Sequence, residues 1–252
     1  MEKNCIENLA RPNMWALILG LSAIVCVAII SYSVANLKST KDTVSVTGQG
    51  CREMRSDWIV WNGEITAFDS EAKTDCAEKL AYSRKAVAEY IQQRGIDSAH
   101  VQFSSIDVSK EEKSKYNSDG DYIGLEFIGY KMTQLVSIQS NDIDKVKEIS
   151  RDITSLLSDG VDISSNSPSY YLKNLGDLKL TLIDEATENA KVRAKKLIKG
   201  FSHLKDIDDI DVGVFQITGL YSNDEYSYGG SYNTSSEWKQ VSVTVHASYG
   251  IK

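Results

Sequence analysis

The spacing of apolar residues along the chain predicts an α+β protein, because helical and strand-like patterns alternate. The clearest helical pattern spans residues 175–200, where apolar side chains recur every three or four positions. They are Leu175, Leu178, Leu182, Ala186, Ala190, Ala194 and Leu197. Because the middle of this stripe consists of alanine, another backbone can approach it closely. We therefore predict that this helix lies on a sheet.

Two other stretches, residues 71–94 and 142–157, have the pattern of amphipathic helices, and each is followed by a glycine. Stretches rich in alternating, β-branched or aromatic residues predict strands. These strands are residues 43–50, 57–68, 100–109, 124–140, 161–171, 212–220 and 238–249. The charged residues 110–121 predict a solvated hairpin loop between two of them.

The order of these elements predicts two small α+β layers. Residues 57–171 follow a split βαβ pattern, which predicts a ferredoxin-like, four-stranded antiparallel sheet with both helices on one face. The first strand, the helix of residues 175–200 and the last two strands remain. We predict that they form an outer β-α-β-β unit, residues 43–56 and 172–250, into which the inner unit is inserted.

The N-terminal stretch of residues 15–37 contains no charged residue and is long enough to cross a bilayer as a helix. It exceeds the apolar core of an ordinary signal peptide, although residues 33–35 offer a weak cleavage site. The pattern favours an uncleaved transmembrane anchor, and a cleaved signal peptide stays open as the alternative. With an anchor, residues 1–14 form a cytoplasmic tail, and residues 38–252 lie outside the cytoplasm, beginning with a polar stalk that ends near residue 42.

The composition excludes one class of partner and leaves the cysteines open. A net charge of −7 and a pI near 5.1 argue against nucleic acid, because phosphate binding requires clustered Lys and Arg. Cys51 and Cys76 fall in the predicted exported part, where an oxidising compartment permits a disulfide. Two unpaired, buried cysteines are the alternative. No C-x-x-C motif occurs, and no metal or cofactor is predicted.

The chain contains no clear catalytic motif. Residues 48–50, Gly-Gln-Gly, lack the third glycine of a dinucleotide-binding loop, since Glu53 stands there, and we interpret them as a turn or bulge. The three histidines, His100, His203 and His246, have no nucleophile motif beside them. The sequence therefore predicts no catalytic residues.

Two acidic patterns could suggest a cation site. Asn117, Asp119 and Glu126 match the spacing of a calcium EF-hand loop, but Lys115 occupies its first position. Residues 206–211 contain four aspartates that alternate in part with isoleucine. A solvated hairpin loop explains the first pattern, and a strand or turn with one wet acidic face explains the second.

Two motifs resemble the SIMPL-domain family. The first is Val-Ser-Val-Thr-Gly-Gln-Gly at residues 44–50, and the second is residues 186–197, where alanine recurs every fourth position before Lys-Lys-Leu. Residues 129–130 keep the family's Gly-Tyr, whereas Ser56 replaces its usual proline. The resemblance covers residues 43–250 and implies a bacterial envelope protein of mostly unknown role, without established catalytic residues. Some members resemble ring-forming oligomers, and some are linked to oxidative stress.

The sequence therefore favours a non-enzymatic, membrane-anchored assembly or interaction module in the cell envelope, with a link to stress. The expected partners are a membrane, further copies of the chain and unknown envelope proteins. One alternative is an exported hydrolase. Another is a ligand sensor that uses the tyrosine- and glycine-rich loop around residues 221–232. Asn233, beside that loop, begins a glycosylation sequon of a kind that recurs by chance.

Overall fold

The computed structural model describes residues 14–37, 42–200 and 203–252. The predictions for most of the cytoplasmic tail and for stalk residues 38–41 lie outside the described residues. The described ranges contain the helices α1 (Met14–Leu37), α2 (Lys73–Gln93), α3 (Ile143–Asp152) and α4 (Leu175–Leu197). The strands are β1 (Thr43–Arg55), β2 (Trp58–Asp69), β3 (Val101–Phe103), β4 (Asp107–Tyr116), β5 (Tyr122–Ser140), β6 (Asp162–Ser165), β7 (Ser169–Tyr171), β8 (Leu204–Val212), β9 (Gln216–Gly219), β10 (Ser231–Tyr232) and β11 (Trp238–Ile251). The predicted α+β class is confirmed.

Strands β2 to β7 form one six-stranded sheet, which we call the inner sheet. Its central strands β2 and β5 are antiparallel neighbours. The other edge of β5 pairs with β3 and, further along, with β4. The other edge of β2 pairs with β6 and, further along, with β7. Helices α2 and α3 cover one face of this sheet. Its core joins Trp61 and Ile138 of the sheet to Leu80 of α2 and Ile149 of α3, all of which are buried.

Strands β1 and β8 to β11 form a second sheet, the outer sheet. Strand β11 is the central strand of this sheet. All of β1 pairs with one edge of β11, whereas β9 and β8 pair with successive parts of its other edge. The short β10 adds to β9 in parallel. Every second side chain of β11 faces α4, including the buried Val241, Val243 and Val245. The chain therefore enters the outer sheet, leaves it to build the inner sheet, and returns.

Helix α4 lies on the outer sheet with its backbone almost touching that of β1. Ala186 and Ala190, in the buried alanine stripe, are fully buried against this strand. A methyl group at Gly48 would overlap the carbonyl oxygen of Ala186 and would lie 2.5 Å from the amide nitrogen of Ala190. A methyl group at Gly50 would overlap the carbonyl of Leu182. The predicted close approach of helix and sheet is thus observed, and glycine on the strand makes it possible.

A second stripe of α4 covers the outer edge of β1. Arg193 donates a hydrogen bond of 3.0 Å to the carbonyl of Thr47, and Asn189 accepts one of 3.3 Å from the amide of Gln49. One turn earlier, Glu185 forms an ion pair with the β1 residue Arg52. Arg193 and Asn189 thus occupy two backbone groups that an exposed edge strand would offer to another chain. The helix therefore protects β1 against edge-to-edge pairing.

Several predicted boundaries differ in the structure, and the inner sheet has six strands instead of the predicted four. Residues 48–50 are not a turn, because β1 runs straight through them to Arg55. Residues 110–121 are not mainly a loop, since β4 extends to Tyr116 and the hairpin turn is short. The second predicted helix ends early at Asp152 and continues as a 3₁₀ helix to Asp159, which is closed by Gly160 at a φ of 81°.

In the described part of the chain, no helix is identified as long and apolar enough to cross a membrane. The prediction of a transmembrane helix at residues 15–37 is not supported by this finding. Helix α1 is nevertheless formed over Met14–Leu37.

We predict that Gly48→Ala destabilises the protein by at least about 2 kcal/mol, because the added methyl group forces α4 away from β1. Gly176→Ala is the matched control, since nothing lies within 4 Å of a methyl group there and alanine favours the helix. Urea unfolding monitored by circular dichroism measures both. Equal stability of the Gly48→Ala variant and the parent chain would contradict the close packing of α4 on β1.

Candidate interaction surface and polar groove

The hairpin of β4 and β5 extends beyond the inner sheet as a two-stranded ribbon. The last residue pair between β2 and β5 joins Asp69 to Tyr130, so residues 122–129 of β5 pair with β4 alone. We define the ribbon as residues 110–129. Since no third strand pairs with it among the described residues, both of its faces are open to solvent.

The register of the ribbon separates its side chains into two unlike faces. Tyr116 lies opposite Tyr122, and bulges shift the register so that Leu125 and Phe127 point to the same side. These four side chains form the apolar face of the ribbon, and each is 44–60% exposed. The opposite face carries charged residues such as Lys113. The ribbon is thus amphipathic, with an apolar face open to solvent.

The tip of the ribbon is shaped by Asn117 and does not form a calcium loop. Its Oδ1 accepts hydrogen bonds from the amides of Asp119 and Asp121, at 3.0 and 2.8 Å. Glu126 lies in β5, where its carboxylate is 3.8 Å from Lys113 Nζ. The residues that matched the EF-hand spacing therefore belong to a turn and to one strand. Among the described residues, no group of three potential ligands could hold a metal ion, and this includes residues 206–211, which lie in the exposed strand β8.

The face of the outer sheet that points away from α4 carries mostly polar residues, and we call it the polar face. The register places on it alternate residues of β1, β8, β9 and β11. They are Ser45, Thr47, Gln49, Cys51, Glu53, Asp209, Asp211, Gln216, Thr218, Gln240, Ser242, Thr244, His246 and Ser248. Sheets of antiparallel strands commonly have one solvated face, so this composition alone does not indicate a site.

His246 has a partner that the sequence did not reveal. Its Nδ1 lies 2.8 Å from Thr47 Oγ1, and Asp211 is its neighbour on the other side in the register of β8. The two other histidines are not part of this cluster: His100 ends a 3₁₀ turn before β3, and the backbone of His203 pairs with Lys252. The two residues are 199 positions apart in the chain, so their contact can be predicted only if the pairing of β1 with β11 is already known.

The tyrosine-rich loop borders a groove on the polar face. The groove has a volume of about 460 Å³, and its lining includes Gln49, Asp211, Thr244, His246, Tyr226 and Tyr228. The glycosylation sequon beside this loop has a structural role, because the Asn233 amide donates to Asp224 Oδ2 at 2.7 Å and its oxygen accepts from the amide of Ser236 at 2.8 Å.

The two units are joined by an ionic network around Glu237. Its carboxylate accepts from Arg55 at 2.7 Å and forms a second ion pair with Lys147 of α3, while Arg55 also contacts Asp144 of α3 at 2.5 Å. Burial alone would raise the pKa of Glu237, but the hydrogen bonds from Lys147 and Arg55 outweigh it and lower the pKa. Glu237 therefore stays ionised and holds β1 and α3 together.

A fully buried lysine holds the loop that precedes β11. Lys239 Nζ donates to the carbonyl oxygens of Asn233 and Ser236, at 2.5 and 2.8 Å. This loop also contacts the inner sheet, since the amide of Tyr170 donates to the carbonyl of Thr234 at 2.7 Å. Burial lowers the pKa of Lys239 to about 8.

Cys51 and Cys76 form no disulfide bond, and they lie in different units. Cys76 of α2 is buried, as the alternative to a disulfide predicted, and its Sγ donates to the carbonyls of Ala67 and Tyr130 at 3.4 and 3.3 Å. Cys51 of β1 is exposed on the polar face, which corrects the expectation that both are buried.

Comparison with protein families gives a match over residues 44–249 to the SIMPL family, described as a protein of unknown function (DUF541). A search of curated proteins finds no match. The resemblance inferred from residues 44–50 and 186–197 is therefore confirmed, and the match spans both sheets.

Lys239 should make stability depend on pH. Its folded-state pKa, about 8, lies below the ordinary value of 10.5, so between these values the unfolded chain binds more protons. The free energy of unfolding should then rise by about 2 kcal/mol between pH 7 and pH 9.5. Urea unfolding at the two pH values measures this rise, which Lys239→Met should remove. The same rise in the variant and the parent chain would contradict the assignment.

Proposed function

Because the chain belongs to the SIMPL family, whose function is unknown, we propose its function from its own surfaces: it is a non-enzymatic assembly module, held at a membrane by α1 and joined to further copies through the ribbon. The observation that carries this proposal is the apolar face of the ribbon. A protein that functions by binding a partner commonly exposes an apolar surface, which the partner buries.

The chemistry of the ribbon supports a second copy of the chain as the partner. Tyr116, Tyr122, Leu125 and Phe127 are large apolar side chains on one continuous strip. Burying such a side chain is favourable by roughly 1.5–3 kcal/mol. Two identical strips related by a twofold axis can bury each other, as in most symmetric dimers.

The charges beside the strip also suit self-association. Lys110 and Glu112 lie on the same side of β4 as the apolar side chains, two positions apart. In a twofold-symmetric dimer, Lys110 of one copy can approach Glu112 of the other. A partner that offers charges of only one sign would leave either Lys110 or Glu112 without an opposite charge. Opposite charges arranged in this way favour a register more than they add affinity.

The membrane attachment is proposed from α1. Residues 15–37 contain no charge, and the described side chains of this helix, residues 18–34, are all exposed. They include Ile18, Leu21 and Ile29, which are 59–69% exposed. A helix that is apolar on every side is stable in lipid rather than in water. We propose that α1 is the anchor, with the two sheets on the extracytoplasmic side.

The hydrolase alternative has one observation in its favour, the hydrogen bond between Thr47 and His246. However, acyl transfer also requires backbone N–H groups that are free to stabilise an oxyanion. The carbonyl of Thr47 and the amide of Gln49, on the edge of β1 beside this pair, are already bonded to Arg193 and Asn189, and β8 covers the other side of His246. The surroundings of this pair therefore suit a binding surface better than a nucleophile.

We predict that Leu125→Glu reduces self-association, because a carboxylate on the apolar face opposes its burial against another copy. Light scattering on the full chain in mild detergent measures the mass. Lys113→Glu is the matched control, since it places the same charge on the opposite face of the ribbon. A parent chain that remains monomeric at high concentration, or an equal mass for parent and Leu125→Glu, would rule out the ribbon as the contact.

We predict that the parent chain stays in the membrane pellet after alkaline carbonate extraction, whereas the double variant Ile24→Lys, Val25→Lys is released. Each lysine near the centre of a spanning helix costs about 2.5–3.5 kcal/mol of insertion free energy. Immunoblots of pellet and supernatant give the distribution. Recovery of the intact parent chain in the supernatant would remove the anchor from the proposal.

A further inference from the structure

The groove on the polar face is built by a loop that the sheet holds in place. Gln216 of β9 is buried, and its amide donates to the carbonyl of Ser227 at 2.7 Å and accepts from the amide of Ser227 at 3.2 Å. These two hydrogen bonds fix the residue between Tyr226 and Tyr228. Gly230 adds a third contact, because its amide donates to the Ser227 carbonyl at 3.0 Å. The two tyrosines therefore border the groove on a fastened loop.

The start of this loop is fastened as well. Asp224 Oδ2 accepts hydrogen bonds from the amide of Gly219 at 2.8 Å and from the side chain of Asn233 at 2.7 Å. The loop is therefore tied to the outer sheet on both sides of Tyr226. A ligand that contacts the rings would not have to order the loop first, which reduces the entropy lost on binding.

The polar groups in the groove are mostly neutral and can both donate and accept hydrogen bonds. Gln49, Ser242 and Thr244 belong to this type, and Asp211 adds one carboxylate. Thr47 engages Nδ1 of His246, which leaves Nε2 as the ring nitrogen that a ligand can reach. Among the described residues that line the groove there is no lysine or arginine. The lining thus suits a ligand with several hydroxyl groups and does not suit a phosphate.

The two tyrosine rings, together with Val212 and Val214 of the groove lining, supply the apolar part of the recognition. Tyr228 is fully exposed and Tyr226 is 60% exposed, so both rings are open to a ligand. Sugars combine hydroxyl groups on their edges with a C–H face that packs on an aromatic ring. The groove offers both kinds of contact within about 460 Å³, a volume in the range of small-molecule sites.

We propose that this groove binds a neutral saccharide of one or two rings. The C–H face of the sugar packs on Tyr228 and Tyr226, and Asp211, Gln49 and His246 form hydrogen bonds with its hydroxyl groups. The site lies in the outer sheet and is separate from the ribbon of the inner sheet. It gives the module a way to recognise carbohydrate while it is assembled.

Isothermal titration of the full chain in mild, non-glycosidic detergent with chitobiose, cellobiose and maltose tests the proposal, with inorganic phosphate as the anionic probe. We expect at least one disaccharide to bind with a Kd of about 1 mM or below, and phosphate not to bind. Tyr228→Ala should weaken that binding about fivefold, since an aromatic contact contributes roughly 1 kcal/mol. Tyr221→Ala is the matched control, because Tyr221 is 92% exposed in the same loop but does not line the groove.

Two further variants separate this proposal from others. Asp211→Asn should weaken disaccharide binding, and Leu125→Glu should leave it unchanged even where it abolishes self-association. The proposal is overturned if none of the three disaccharides binds at about 20 mM, or if Tyr228→Ala and Tyr221→Ala bind equally well. Binding of phosphate in preference to the sugars would also overturn it.

Discussion

The contact between the backbones of α4 and β1 is the constraint on which the outer unit depends. It requires glycine at two alternate strand positions, Gly48 and Gly50, and alanine at matching helix positions, Ala186 and Ala190. Alanine on the helix alone would not permit this contact, because a methyl group on the strand would still overlap the helix backbone. The same close approach brings Asn189 and Arg193 within hydrogen-bonding distance of the β1 edge. One packing interaction therefore builds the core, orients the helix and closes an edge of the sheet.

The amphipathic helices and the α+β class could be predicted from the sequence, because burial on one side leaves a periodic pattern. The alanine stripe even indicated a close neighbour. The features that were missed depend on contacts that no local pattern carries. The glycines at 48–50 were interpreted as a bend because the helix that requires them lies about 140 residues later. The contact of Thr47 with His246 was missed for the same reason. The first strand of the ribbon was interpreted as a loop, because a strand without a buried core keeps charged residues such as Lys113.

The ribbon and the groove lie on different units, and the junction between those units combines ion pairs and hydrogen bonds with the stacked rings of Tyr171 and Tyr232. Glu237 links Arg55 of the outer sheet to Lys147 of α3, and the buried Lys239 fixes the loop that carries Thr234 to the inner sheet. Partners of this type are directional, so they define one relative orientation of the two units where an apolar contact would permit sliding. A buried charge without its partners is costly, which makes intermediate orientations unfavourable.

The central position of β11 has a consequence for synthesis on the ribosome. The inner sheet consists of residues 58–171, and its strands can pair as soon as they emerge. Strand β1 emerges earlier than all of them, yet the strand with which it pairs in the described structure is β11, which ends at Ile251. Until β11 has been made, the backbone groups that β1 uses to pair with it are therefore unsatisfied and exposed to chaperones and to other nascent chains. Such long-range pairing also slows folding, so the outer sheet can close only after β11 has been made.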